Sequence, residues 1–307
     1  MPNRRKFLEK VSWAGGLILL GKFPFTSFAA NKTIKLTILH TNDTLSQIEP
    51  FPADASKNAG LGGVQARANW IQEIRAQEEN VILVDAGDFF FNSSHFEVFR
   101  GAVEIEAMNQ MKYDAACLGE HEFDDGIENL STQLSKAKWK TLCCNYIFEN
   151  KDLREQIKPF TIIEKSNLKI GILAVGINLE GLIDDEIRKQ IKFQNPIEKA
   201  NEIAKYLKKN EKCDFIICLS HLGLYNNNEP KFSDKNLAKE SENIDLIIGG
   251  HSHTLLPKPL KYYNLKKQEI LVVQSGWGGS HLGRIDYIFS TDKNILSSNV
   301  QTVEIGK

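Results

Sequence analysis

Leu118-Gly119-Glu120-His121-Glu122-Phe123-Asp124-Asp125-Gly126 interrupts an apolar run, Ala115 to Leu118, with a glycine, a dense polar cluster and a second glycine. A run that ends in such punctuation reads as a buried strand opening into a functional loop. Glu120 offers carboxylate oxygen to a cation, and His121 and Asp124 are of the types that form a hydrogen-bonded acid/base pair. One loop of this composition specifies little. The rest of the chain gives it weight, because four further apolar runs also lead to Asp or His.

Working outward, Lys35 to His40 is β-rich and leads to Asp43. Val81-Ile82-Leu83-Val84 is apolar throughout, as a strand buried on both faces should be, and leads to Asp85-Ala86-Gly87-Asp88. Downstream, Asp214 to Ser220 ends at His221, and Ile244 to Ile248 ends in Gly249-Gly250-His251-Ser252-His253. Helical spacing lies between these runs: Val64, Ala68, Ile71 and Ile74 after Gly62-Gly63, then Phe96 to Met111, then Ile197 to Lys208. Further strands are expected around Leu142-Cys143-Cys144, over Leu168 to Val175, and in the tail from Glu269, which closes a sheet. Strand–helix alternation of this kind predicts an α/β domain with functional loops at the strand ends. Gly62-Gly63 lacks the lysine and spacing of a phosphate loop and reads as close helix packing. Phe89-Phe90-Phe91 reads as core packing at a strand end.

The 307 residues, 42% hydrophobic and 25% charged, suit a soluble globular protein. Residues 1–29 read as a twin-arginine signal peptide: Arg4-Arg5 precedes an apolar stretch from Val11 to Gly21, and Ser27-Phe28-Ala29 offers small residues to a signal peptidase. That stretch is shorter than the ~20 apolar residues of a spanning helix, and no later segment approaches such length, so stable membrane insertion is not expected. The expected location is periplasmic or secreted, and residues 30–307 are expected to form one domain. Removing the leader takes away Arg4, Arg5, Lys6, Lys10 and Lys22 against Glu9, leaving 33 basic and 38 acidic residues and a formal charge of about −5. That balance argues against a nucleic-acid polymer as partner. The five cysteines, Cys117, Cys143, Cys144, Cys213 and Cys218, are odd in number, include no C-x-x-C pair and sit beside apolar runs, so buried free thiols are expected.

The residues gathered at strand ends are Asp43, Asp88, Glu120, His221, His251 and His253. Mixed imidazole and carboxylate donors suit first-row metals such as Mn, Fe or Zn. Two cations about 3.5–4 Å apart, bridged by a carboxylate, form the arrangement that clamps a phosphoryl group. Each residue alone has an ordinary explanation, as a turn cap, a core histidine or a loop polar group. Their joint occurrence in this order does not.

Leu39-His40-Thr41-Asn42-Asp43, Asp85-Ala86-Gly87-Asp88, Gly119 to Asp124, Ser220-His221 and Gly249-Gly250-His251-Ser252-His253 resemble the ordered motifs of the calcineurin-like metallophosphoesterases. Within that superfamily they are most similar to the N-terminal catalytic domain of the secreted 5'-nucleotidases. The resemblance implies a four-layer α/β/β/α sandwich of two mixed β-sheets flanked by helices, with two divalent cations at the strand ends. It implies that Asp88 bridges the cations, that Asp43 and His253 serve the first, and that Glu120, His221 and His251 serve the second. It implies that His121 contacts the phosphate or protonates the leaving oxygen, with Asp124 fixing its tautomer. The activity it implies is hydrolysis of nucleotides or other small phosphate monoesters by a metal-bound hydroxide.

Two departures from the family pattern stand out. The first motif reads Asp-x-His in the family, and here Leu45 follows Asp43-Thr44, so the first cation loses a ligand. The third reads Gly-Asn-His-Glu, and here Glu120 replaces the amide with a full negative charge. Gln47 and Glu49 are the nearest polar residues to the missing imidazole. The family's second domain, which binds the nucleoside, finds no counterpart in the motifs. A second reading therefore makes the chain a metal-bearing, catalytically weakened subunit that works with a separate nucleoside-binding protein. A third keeps the fold and changes the substrate, to a phosphodiester or a sulfur ester.

Overall fold

Among the described residues fourteen strands carry the fold: β1 (Ile34–Thr41), β2 (Val81–Asp85), β3 (Ala115–Cys117), β4 (Lys140–Leu142), β5 (Tyr146–Phe148), β6 (Phe160–Lys165), β7 (Leu168–Val175), β8 (Ile191–Phe193), β9 (Phe215–Ser220), β10 (Leu246–Gly249), β11 (Leu260–Tyr263), β12 (Glu269–Val273), β13 (His281–Phe289) and β14 (Ile295–Glu304). They are those of a computed structural model that describes residues 33–91, 93–226 and 231–306. The leader expected over residues 1–29 lies outside the described residues. Among the described residues no helix is long and apolar enough to cross a membrane.

Two six-stranded sheets run β14-β13-β1-β2-β3-β4 and β11-β12-β10-β9-β7-β6, with β5 and β8 forming a small pair beside them. In the first sheet β1 to β4 are parallel and β13 and β14 are antiparallel additions. In the second, β7, β9, β10 and β12 are parallel, and the edges β6 and β11 are antiparallel. The mixed α/β sandwich implied by the motifs is the observed architecture.

Side chains alternate across each strand, and the sequence obeys that period. Leu36, Ile38, Ile82 and Val84 face Ile170, Ile172, Ile217, Leu219 and Ile248 in one apolar layer between the sheets. Leu39, Val81 and Leu83 point the other way, among Ile71, Ile105, Met108 and Leu130 of the covering helices Val64–Gln77, Ala102–Met111 and Gly126–Leu134. On the far side, Leu173, Val175, Ile216 and Cys218 meet Ala200, Ala204, Leu207 and Leu237 of helices Pro196–Lys209 and Asp234–Glu240. Because both faces of the central strands are covered, the runs Val81–Val84 and Phe215–Leu219 are buried throughout. Each fully buried Leu or Ile contributes about 1.5–3 kcal/mol, so this layer fixes the strand ends more firmly than any surface contact.

Local signals explain the helix ends. Asn195 accepts hydrogen bonds from the Ile197 and Glu198 N–H groups, Pro196 opens helix Pro196–Lys209, and Lys208 and Lys209 close it, each as the helix dipole favours. The helix expected over Phe96 to Met111 is two helices, Ser94–Phe99 and Ala102–Met111, broken at Arg100 (φ 52°) and Gly101 (φ 92°). A Cβ on Gly101 would lie 2.6 Å from the Phe90 ring, so the buried ring dictates both the glycine and the break. The strand expected around Cys143 and Cys144 ends earlier, at Leu142. Cys143 N–H donates to the Lys158 carbonyl (2.9 Å) and Cys144 N–H to that of Ala174 (2.8 Å), so the stretch steps from one sheet to the other. All five cysteines are buried and free. Gly62 and Gly63 pack closely, but against the Gly278 carbonyl and Pro50, which lie in loops, and not against a helix as expected. The tail closes both sheets, β12 in the second and β13–β14 in the first.

Candidate metal centre

Parallel strands in both sheets end at one edge, where their loops converge. From the first sheet come Asp43 after β1, Asp88 after β2 and Glu120 after β3, and from the second His221 after β9 and His251 and His253 after β10. Asp43, Asp88, His251 and His253 adopt left-handed backbone conformations, with φ of 49°, 57°, 65° and 51°. Non-glycine residues held there are strained by roughly 1–3 kcal/mol each, and such strain collects at functional sites. Backbone bonds impose it: Asp43 N–H to the Gly87 carbonyl (2.8 Å), Leu45 N–H to that of Asp88 (3.0 Å), and Gly250 N–H to that of Ser220 (2.9 Å).

One ligand-type atom from each of Asp88, Glu120, His221 and His251 lies within 4.8 Å of the other three. His221 Nε2 is 3.1 Å from both Asp88 Oδ2 and Glu120 Oε2, and His251 Nδ1 is 2.7 Å from Glu120 Oε1. Despite that spacing, Glu120 Oε2, His221 Nε2 and His251 Nδ1 are buried without a hydrogen bond, because they converge instead of pairing. His221 Nδ1 lies 2.6 Å from the Ala86 carbonyl, and donating to it leaves the Nε2 lone pair aimed at the carboxylates. Two lone-pair donors facing each other at 3.1 Å need a positive charge between them. Burial opposes charge on His221, yet Asp88 and Glu120 outweigh it and hold its pKa well above the usual imidazole range. Burial likewise works to raise the Glu120 carboxyl, and the two imidazoles overcome it and hold it well below the usual carboxylate range. The residues thus fit a divalent cation, which would take the place of those protons.

Asp43 and His253 lie beside these four. Asp43 Oδ1 is 4.0 Å from His221 Nε2 and 3.6 Å from His253 Nε2. It also accepts from the His251 N–H (2.9 Å), while Asp43 Oδ2 accepts from the Asn42 amide (2.6 Å). Burial pushes the Asp43 carboxyl well up, against the pull of His221. Burial lowers the His253 imidazole. All six residues gathered from the strand ends therefore meet at one place. Gln47 and Glu49 do not supply a substitute for the imidazole absent at Leu45: the Gln47 amide turns to the Glu49 carbonyl (2.7 Å), and Glu49 is exposed.

His121 stands at the mouth. Residues His121–Phe123 form a single 3₁₀ turn, which puts residues three apart on one face, and His121 Nδ1 lies 3.0 Å from Asp124 Oδ2. The His121 N–H donates to Asp88 Oδ1 (3.0 Å), tying the pair to the cluster. Burial works to lower its pKa, but the Asp124 hydrogen bond and the charges of Asp88, Asp124 and Glu120 raise it to about 9. Phe91 meets the His121 ring edge-on (centroids 4.8 Å apart), and Trp277 stacks on His253 (5.8 Å). Phe89 and Phe90 are buried as the sequence implied; Phe91, 39% exposed, instead turns outward to the site.

Sequence reasoning missed three supporting residues. Glu122 is buried and accepts from the N–H groups of Asp88 (3.0 Å), Phe90 (3.1 Å) and Gly119 (2.6 Å), clamping two ligand loops. Asn42 ties the β1 loop to Ser275 and Gly276. Asp234 accepts from the Ser220 hydroxyl (2.6 Å) behind His221. The one sequence signal for them was position: Asn42 and Glu122 each adjoin a candidate ligand or acid/base residue, and Asp234 carries no signal.

The sequence profile of the calcineurin-like phosphoesterases matches residues 36–255. A 5'-nucleotidase of Vibrio cholerae is 31% identical over 307 residues, covering 92% of this chain and 54% of its own length. The human 5'-nucleotidase is 33% identical over 298 residues, covering 86% of this chain and 48% of its own. The crystal structure of a 5'-nucleotidase precursor from Thermus thermophilus superposes with a TM-score of 0.80 at 27% identity, over 89% of this chain and 55% of that one. The chain thus spans about half the length of these relatives. With the profile covering most of the chain and the convergent loops in the order the family requires, the chain belongs to the calcineurin-like phosphoesterases, a family of metal-dependent phosphoric ester hydrolases.

Proposed function

We propose that the chain is an exported phosphomonoesterase of 5'-nucleotidase type that hydrolyses nucleotides or other small phosphate monoesters. The observation that carries this reading is the His121–Asp124 pair, hydrogen-bonded at 3.0 Å and tied through the His121 N–H to Asp88 at the mouth of the buried cluster. In this reading two divalent cations (Mn, Zn or Fe) would be held with Asp88 in common, one on the side of Asp43 and His253 and the other on the side of Glu120, His221 and His251. Cations held there supply Lewis acidity toward phosphoryl oxygens and toward water.

The remaining chemistry belongs to side chains. Asp124 accepts from His121 Nδ1 and so leaves Nε2 to carry the working proton. In the metal-free chain the pKa of that imidazole is about 9, and with Asp124 as its partner the charged ring is fit to neutralise charge on the phosphoryl group and to protonate the departing alkoxide. Phe91 packs on the same ring and forms an apolar wall beside the leaving group.

The test is phosphate release from AMP and from an aryl phosphate with added Mn²⁺, in the periplasmic fraction of cells expressing the chain with its own leader. His121→Ala should lower turnover by about 10²–10⁴-fold while metal content is retained. Unchanged turnover would contradict the role of His121, and activity confined to the cytoplasm would contradict export.

Leu45 favours a second reading, in which the site binds a cation but turns over poorly and works beside a separate nucleoside-binding chain. Strong phosphate release by the isolated wild type would remove it.

A further inference from the structure

We infer that the centre loads its cations unequally: the pocket of Asp88, Glu120, His221 and His251 takes one divalent cation unaided, and the Asp43–His253 side takes a second only together with a phosphate group. This rests on the two-cation reading of the site proposed above.

The first pocket is complete. Its four donors lie within 4.8 Å of one another, and three of their atoms are buried with no hydrogen bond to give up. Asp88 and Glu120 bring two negative charges, which balance one divalent cation. Balance matters because an unpaired buried charge is disfavoured by several kcal/mol. An amide at position 120, the family's residue, would leave that balance one charge short. The Glu120 carboxylate, which reaches both His221 and His251, therefore tightens this side in particular.

The second side is deficient on three counts. Leu45 has no donor atom, and its backbone is fixed by the bond from its N–H to the Asp88 carbonyl (3.0 Å), so the loop is held where it is. Both Asp43 oxygens already accept hydrogen bonds, from the His251 N–H and the Asn42 amide. His253 is 42% exposed on its side chain and stacked on Trp277, with Nε2 3.6 Å from Asp43 Oδ1. Asp88 also has less to share, since Oδ1 accepts from the His121 N–H while Oδ2 faces His221. Once the first cation has matched Asp88 and Glu120, a second meets one further carboxylate and one imidazole. It is short of both ligands and negative charge. A phosphate dianion supplies both, and by linkage each then raises the other's affinity by the same factor.

The experiment is Mn²⁺ binding to the metal-free chain, followed by the electron paramagnetic resonance signal of free Mn²⁺, with and without inorganic phosphate. Wild type should bind one equivalent tightly, and phosphate should tighten a second by about tenfold or more. Leu45→His should bind two equivalents without phosphate, and Glu120→Asn should weaken the tight equivalent by about 10–100-fold. Two indistinguishable equivalents in phosphate-free wild type would overturn the inference, as would a second equivalent indifferent to phosphate. If Leu45→His fails to fold, as judged by circular dichroism, the phosphate dependence of wild type still decides. Absence of any tight equivalent would be a different result, failure of the metal-centre reading itself.

Discussion

The two sheets bring opposite chemistry to one edge and brace it by different means. Loops of the first sheet carry the carboxylates of the cluster, Asp43, Asp88 and Glu120, and those of the second its imidazoles, His221, His251 and His253. The carboxylate loops are clamped by a buried side chain, Glu122, that takes three backbone N–H donors. Behind the imidazoles the Ser220 hydroxyl meets Asp234, and His221 is oriented from across the gap by the Ala86 carbonyl. Like charges a few ångströms apart repel, so loops that present them need a scaffold independent of the cation. The imidazoles face those carboxylates instead of one another's like charge, and what they need is a ring held in one orientation.

The largest effect should come from the clamp. Glu122→Ala leaves three buried N–H groups without an acceptor, and at about 1–3 kcal/mol each the loss should be about 3 kcal/mol or more in urea unfolding of the metal-free chain. A loss below about 1 kcal/mol would mean that the loops hold themselves in place. Asp234→Asn should do less. It keeps an acceptor for Ser220, so unfolding should barely change while Mn²⁺ affinity falls about tenfold; a stability loss matching that of Glu122→Ala would erase the distinction between the sheets.

The smallest effect concerns proton affinity. In the metal-free chain His121 should titrate at about 9, since the carboxylates around it overcome the opposing effect of burial. Because that value lies above the ordinary 6.5, the pair stabilises the fold fully below about pH 6.5 and loses that contribution as pH rises through about 9. Zn²⁺ would neutralise Asp88 and Glu120 and should move the midpoint down in ring-nitrogen NMR. An unmoved midpoint would detach His121 from the carboxylate loops.

Much of this was legible because strand ends are legible. Val81–Val84 and Leu168–Val175 are continuous runs of strand length, and Asp88, Glu120 and His221 follow their strands closely enough to be placed by counting. The helix break at Gly101 was not, because it depends on where the Phe90 ring packs, a contact outside any local period. Cys143 and Cys144 look like strand and serve as a crossing, since their partners Lys158 and Ala174 belong to a different part of the chain. Glu122 sat in the opening motif and was passed over: a carboxylate that binds only backbone leaves no trace in side-chain chemistry. Phe91 differs from Phe89 and Phe90 only in facing outward, which composition cannot express.

The bond between His221 Nδ1 and the Ala86 carbonyl crosses from one sheet to the other. It makes the spacing of the two halves and the position of one proton a single variable. Without that acceptor the ring is no longer held with one nitrogen toward Ala86 and the other toward the carboxylates, and a cation has to compete for the inward nitrogen with a proton that has nowhere else to go. The apolar layer that keeps the sheets in register therefore also sets how far that ring stands from its acceptor.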